Sequence, residues 1–104
     1  MKIKFPEKID ILSSSFKVIQ DINEEGGSFN FANSQLIIGT RYLKSDPNHV
    51  FNIICHEVSE ICHVVLNLRY NDHSVSNNYK FFMDHKEFEI HNSLFAITIQ
   101  NFIK

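Results

Sequence analysis

Tryptophan is absent from this 104-residue chain, glycine and proline are scarce at three and two residues, and there are only two cysteines. So little glycine and proline excludes a fibre or a disordered low-complexity chain. No apolar run approaches the roughly 20 residues that cross a bilayer as a helix. The opening Met1-Lys2-Ile3-Lys4-Phe5-Pro6 lacks the apolar segment followed by small residues that marks a secretory leader, so none is expected. Basic clusters are missing as well. With a formal net charge of −2, the chain lacks the electrostatic footprint of a nucleic-acid binder, and neither nucleic acid nor membrane is expected as a partner. Cys55 and Cys62 stand seven apart in a segment that reads as helical. Their α-carbons would then lie about 10 Å apart, too far for a disulfide, which points to a reduced, cytoplasmic protein.

What is present is ordinary globular chemistry: 43% hydrophobic and 21% charged residues, with ten phenylalanines. A chain of this length has room for one apolar core, so residues 1–104 read as a single domain that needs no disulfide or metal to fold. Histidine is the exception. Three of the six fall between positions 49 and 63.

Phe16 and Val18 alternate with polar residues from Ser15 to Ile22, the period of a half-buried strand. Glu24-Glu25-Gly26-Gly27 reads as a solvated turn in which glycine supplies positive φ. Short strands at Ser28 to Ala32 and Gln35 to Gly39, around a turn at Asn33-Ser34, complete an expected antiparallel meander. Asp46-Pro47 then offers a side-chain cap and a first helical residue that needs no N–H partner. Val50, Ile53, Ile54, Ile61, Val64, Val65 and Leu68 recur at the spacing of one helix face to about residue 68. A polar loop follows from Asn71 to Asn78, then a strand-like Tyr79 to Met83. Asp84-His85-Lys86-Glu87 has the form of a capping box opening a last helix to about Phe102. The expected fold class is α+β: a small antiparallel sheet packed against two helices.

The chemistry concentrates in Cys55-His56-Glu57-Val58-Ser59-Glu60-Ile61-Cys62-His63. On a helix, His56, Glu60 and His63 fall on one stripe about 60° wide, bordering the apolar face. Glu57 falls inside that face, between Ile53, Ile54, Ile61 and Val64. A lone ionised carboxylate there costs several kcal/mol, which a nearby cation would offset. Ligands at i and i+4 point side by side, and the residue after the first ligand projects beside the metal, where a carboxylate can take a proton from water. The competing reading of His56 and Glu60 is an ordinary surface pair. For a third ligand the residues offer His63 on the same helix, where three ligands within two turns strain a tetrahedral site, or His85 at the start of the second helix. Cys55 and Cys62 read as small apolar fillers. His49 reads as solvated or as a partner of a ligand, His73 as exposed, and His91 as lying beside the aromatic face of the last helix.

These residues resemble the minimal zincin-like metallopeptidases, short proteins often encoded by bacteriophages. The resemblance rests on His56-Glu57-Val58-Ser59-Glu60, an HExxE variant of the zincin HExxH motif, and on Asp84-His85 leading a helix that ends in Leu94-Phe95-Ala96-Ile97-Thr98-Ile99-Gln100. It covers roughly residues 9 to 103, although only the HExxE segment is specific. It implies a zincin-like fold in which His56, Glu60 and His85 bind Zn2+ and Glu57 is the catalytic general base; His63 can replace Glu60 or His85. Glutamate at position 60 departs from the usual histidine, lowering the charge of the site and weakening the Lewis acid.

A zinc-dependent metallopeptidase acting on a peptide or protein is therefore the expected function, with Gln35 to Gly39 as the strand whose free edge receives the substrate. The alternative is a non-catalytic zincin-fold protein with a structural metal, binding and inhibiting a host protein. Iron is the lesser choice of metal. Glu60-Ile61-Cys62-His63 has the Glu-x-x-His form of carboxylate-bridged iron sites, but one such motif would need a dimer to complete it.

Overall fold

The run Leu36-Ile37-Ile38 decides how the sheet is assembled. In the computed structural model, which describes residues 2–71, 79–81 and 83–104, Leu36 and Ile38 are fully buried. A strand of that character belongs in the middle of a sheet. Four strands, β1 (Lys8–Ile11), β2 (Ser14–Asp21), β3 (Gly27–Asn30) and β4 (Gln35–Gly39), lie in the order β1-β2-β4-β3. β1 and β2 form an antiparallel hairpin, and β4 and β3 form another. β4 runs parallel to β2, from Lys17 opposite Gln35 to Asp21 opposite Gly39.

The sheet is therefore mixed, not the antiparallel meander that the sequence suggests. Apolar β4 takes the inner position, and β3, with Ser28 and Asn30 exposed, is left at the edge. To allow this, the chain after β2 passes over the end of β4. The Gly39 N–H donates to the Gly26 carbonyl at 2.7 Å, Thr40 N–H to Asp21 at 2.9 Å, and Arg41 N–H to Glu24 at 3.2 Å. The crossing is so close that a Cβ on Gly39 would lie 2.3 Å from the Gly26 carbonyl oxygen.

Gly26 and Gly27 do not serve as positive-φ turn residues, since no glycine among the described residues has that conformation. Gly27 instead opens β3, where a Cβ would lie 2.7 Å from Ile53 Cγ2 and 3.0 Å from Glu57 Cγ. Its lack of a side chain lets the edge strand approach the helix. β1 was not expected, because Ile9 and Ile11 are two apolar residues in four and become significant only when both are buried.

Helix α1 (Pro47–Val65) begins where the sequence places it, with the Asp46 carboxylate accepting from His49 N–H. It stops short of residue 68 because Asn67 turns to φ 58°, a left-handed conformation that asparagine tolerates. Helix α2 (His85–Ile99) carries the expected capping box: Glu87 N–H donates to Asp84 at 2.8 Å and Asp84 N–H to Glu87 at 3.1 Å. A 3-10 turn, Gln100–Phe102, extends it to the expected end. Val50, Ile54, Val58, Ile61 and Cys62 of α1 pack with Ile9, Ile11, Phe16, Leu36 and Ile38 of the sheet, and Ile99 and Phe102 close the cluster. Strands β5 (Arg69–Asn71) and β6 (Tyr79–Phe81) form a separate antiparallel pair. The rest of the expected 71–78 loop, His73 included, lies outside the described residues. No described helix is long and apolar enough to cross a membrane.

Gly39→Ala forces a methyl against two backbone carbonyls and should destabilise the domain by about 3 kcal/mol, since overpacking costs roughly 1–3 and rigid backbone gives little. Urea unfolding measures this; an unchanged midpoint would mean the chain does not cross β4 this way.

Candidate metal centre

Helix α1 brings His56, Glu57 and Glu60 together. One donor atom from each lies within 4.8 Å of the other two. His56 Nε2 is 2.8 Å from Glu60 Oε2 and 3.7 Å from Glu57 Oε2. Donors about 2.0–2.2 Å from a tetrahedral zinc sit roughly 3.3–3.6 Å apart. The His56–Glu57 separation is close to that, and the His56–Glu60 pair would open by about half an ångström. The donor set, one imidazole and two carboxylates, suits a divalent cation such as zinc.

Burial differs sharply along the cluster. The His56 side chain is 66% exposed, whereas Glu57 as a residue is only 6% exposed. Glu57 lies in the apolar face, as the helical spacing requires, against Gly27 and the end of β3. His56 lies beside it, with Nε2 3.7 Å from the Glu57 carboxylate. Two open grooves meet at His56. One, of about 440 Å³, is lined by Gly26, Gly27, His49, Asn52, Ile53, His56 and Glu57. The other, of about 240 Å³, is lined by His56, Ser59, Glu60 and His63. A larger cleft of about 700 Å³ beside Glu7, Lys8, Ser15, Lys17, Val18 and Ser34 has no imidazole or thiol in its wall. The clustered donors His56, Glu57 and Glu60 border the smaller grooves.

His85 is not brought to this cluster. It opens α2 with its side chain 86% exposed and its Nε2 2.9 Å from Glu89 Oε1, an i,i+4 pair on its own helix. His63 lies nearer, sharing the second groove with His56 and Glu60, and donates its Nδ1–H to the Ser59 carbonyl at 2.7 Å. The residue that α2 presents to α1 is His91, whose ring centroid is 4.1 Å from that of His63. It is buried, also stacks near Phe95, and approaches the Ser59 carbonyl with Nε2 at 3.3 Å. Sequence reasoning gave His91 no role. The missed signal was its position, four and seven residues before Phe95 and Thr98 on the packed face of α2.

His49 anchors the start of α1 to the β2–β3 connection. Its ring bonds the Glu25 carbonyl at 3.1 Å and meets Tyr42 edge-on. Glu25 in turn pairs with Arg41 at 3.8 Å, so that connection is braced as well as solvated. Cys62 is buried and Cys55 half-buried, both free. Burial raises the Cys55 thiol and pushes Cys62 up to about 11. A thiol ligates metal as the thiolate, which this burial disfavours, so both remain fillers.

No family model, curated protein or solved structure matches the chain. The fold and site define an α+β domain with a histidine–carboxylate cluster at the surface of one helix.

At pH 8 iodoacetamide should label Cys55 well before Cys62; equal rates would contradict the burial of Cys62. The unfolded thiol ionises first, near its ordinary value of 9.0. The folded chain then holds more protons, and stability should fall as pH rises from 9 towards 11.

Proposed function

We propose that this protein is a zinc-dependent hydrolase of zincin type that cleaves peptide bonds. The observation that supports it most is the carboxylate of Glu57, buried in an apolar helix face yet 3.7 Å from His56 Nε2 and open to a groove. A carboxylate buried among apolar side chains beside an imidazole is a recurrent mark of a functional site. His56 and Glu60 hold the ion, as the HExxE motif suggests. His85 stands apart, so the side of the site facing α2 is closed by His63. When bound, zinc supplies an acidified water and a polarised carbonyl. Glu57, beside His56 and bordering the groove, is the carboxylate placed to accept the proton.

The substrate edge is β3, not Gln35 to Gly39. β4 is paired on both sides, whereas β3 is one of the two edge strands and its first residue, Gly27, forms part of the groove wall beside Glu57. An extended peptide adding to β3 would gain main-chain hydrogen bonds and pass His56 and Glu57. Iron is the second choice of metal, since one imidazole and carboxylates also suit it. The second functional reading is a non-catalytic zincin-fold protein with a structural metal that binds a host protein. The 66% exposure of the His56 side chain favours it, because an open site excludes little water.

Glu57→Gln should retain bound zinc while lowering hydrolysis of a peptide library by about 10²–10⁴-fold, the usual contribution of a general base. His56→Ala should lose the zinc. Unchanged hydrolysis in Glu57→Gln would refute the assigned base, and zinc bound without any cleavage by wild-type protein would favour the binding reading.

A further inference from the structure

Helix α2 is apolar on more than one side. Its inner side carries the buried His91, Thr98 and Ile99, with Phe102 following in the 3-10 turn. On another side Ile97 is 69% exposed and Ile90 is exposed too, with Leu94 half-buried between them. A surface helix ordinarily turns charge towards water. Here no aspartate, glutamate, lysine or arginine occurs from Ile90 to Ile103. The two isoleucines stand about 10.5 Å apart along the axis. With Leu94 they make a contiguous apolar strip of the kind that marks a contact surface.

The strip matches itself when turned end for end. Ile90 and Ile97 are equally far from the point between Ser93 and Leu94, and so are Lys86 and Asn101. All four fall within a sector of about 60°. In an antiparallel pair of such helices, Ile90 of one copy therefore meets Ile97 of the other, and Lys86 meets Asn101. Asn101 gives its amide N–H to the Thr98 carbonyl at 2.9 Å, which leaves its own side-chain oxygen to accept from an ammonium.

Charge selects the same arrangement. Asp84, Glu87 and Glu89 gather with Lys86 at the start of α2. At the other end Lys104 N–H donates to the Lys2 carbonyl at 3.3 Å and Lys4 N–H to Phe102 at 3.0 Å, so the exposed Lys2, Lys4 and Lys104 collect there. Antiparallel pairing lays each basic end beside an acidic one, whereas parallel pairing sets like ends together. We propose that this strip of α2 binds a second copy of the chain, antiparallel about a two-fold axis near Ser93, with Ile90 packed on Ile97. The small Ser93 lets the axes approach to about 8–10 Å. Such an isologous contact closes after two copies. It is independent of the metal centre on α1. A contact confined to one helix about 22 Å long is smaller than the roughly 800 Å² a side of stable complexes, so a micromolar dissociation constant is expected.

Sedimentation equilibrium of the full-length protein from about 5 μM to about 1 mM is the test. The mass should rise from 12.2 kDa towards twice that value. Ile97→Glu and Ile90→Lys introduce good helix formers at exposed positions, so both variants should fold. Each should weaken association by about tenfold or more. Mixed in equal amounts, the two variants should associate again. The introduced ammonium then meets the introduced carboxylate, and the two untouched isoleucines still pair. Wild-type protein that stays monomeric overturns the proposal, and binding of that monomer to phosphatidylcholine vesicles would assign the strip to a membrane surface instead. A dimer retained in both single variants places association elsewhere, such as the β3 edge, and also overturns it. Failure of the mixture to associate overturns the antiparallel pairing.

Discussion

A carboxylate held in the apolar face of α1 organises the surroundings of the site. Glu57 is 6% exposed among residues that are otherwise hydrophobic, and an unpaired charge in that position would cost several kcal/mol. His56 on one side and the groove beside β3 on the other keep it electrostatically connected. Its placement also constrains the sheet. β3 can approach only because position 27 has no side chain to meet Ile53 and Glu57. The edge strand, the glycine and the buried acid are thus one arrangement.

The sheet topology follows from the same economy of burial. Leu36 and Ile38 require cover, so β4 goes inside, and the polar β3 is displaced to the rim where it lies next to α1. That displacement brings a strand edge to the candidate site. Helix α2 packs against α1, and there His91 meets His63 and Ser59. A histidine in such a contact needs partners for two nitrogens, and the Ser59 carbonyl supplies one of them.

Much of the architecture was legible in the chain. Asp46-Pro47 marked the start of α1, and Asp84 with Glu87 marked α2, because caps are local chemistry between residues close in sequence. The burial of Glu57 followed from helical periodicity alone, as did the closeness of His56 to Glu60. What failed was long-range. The parallel pairing of β2 with β4 depends on a crossing stabilised by Gly39 against Gly26 and Glu24, residues 13 and 15 positions away in numbering. The choice between His85 and His91 depended on how α2 rotates against α1, which six residues of helix cannot declare.

The amino-acid order determined the helices, their caps and the His-Glu-x-x-Glu cluster, because each involves neighbours within one or two turns whose geometry the backbone fixes. Only the folded arrangement decided which strand lies at the rim beside that cluster and which histidine of α2 packs on α1. Those outcomes are set by competition among distant apolar surfaces for burial, and no local pattern records who wins.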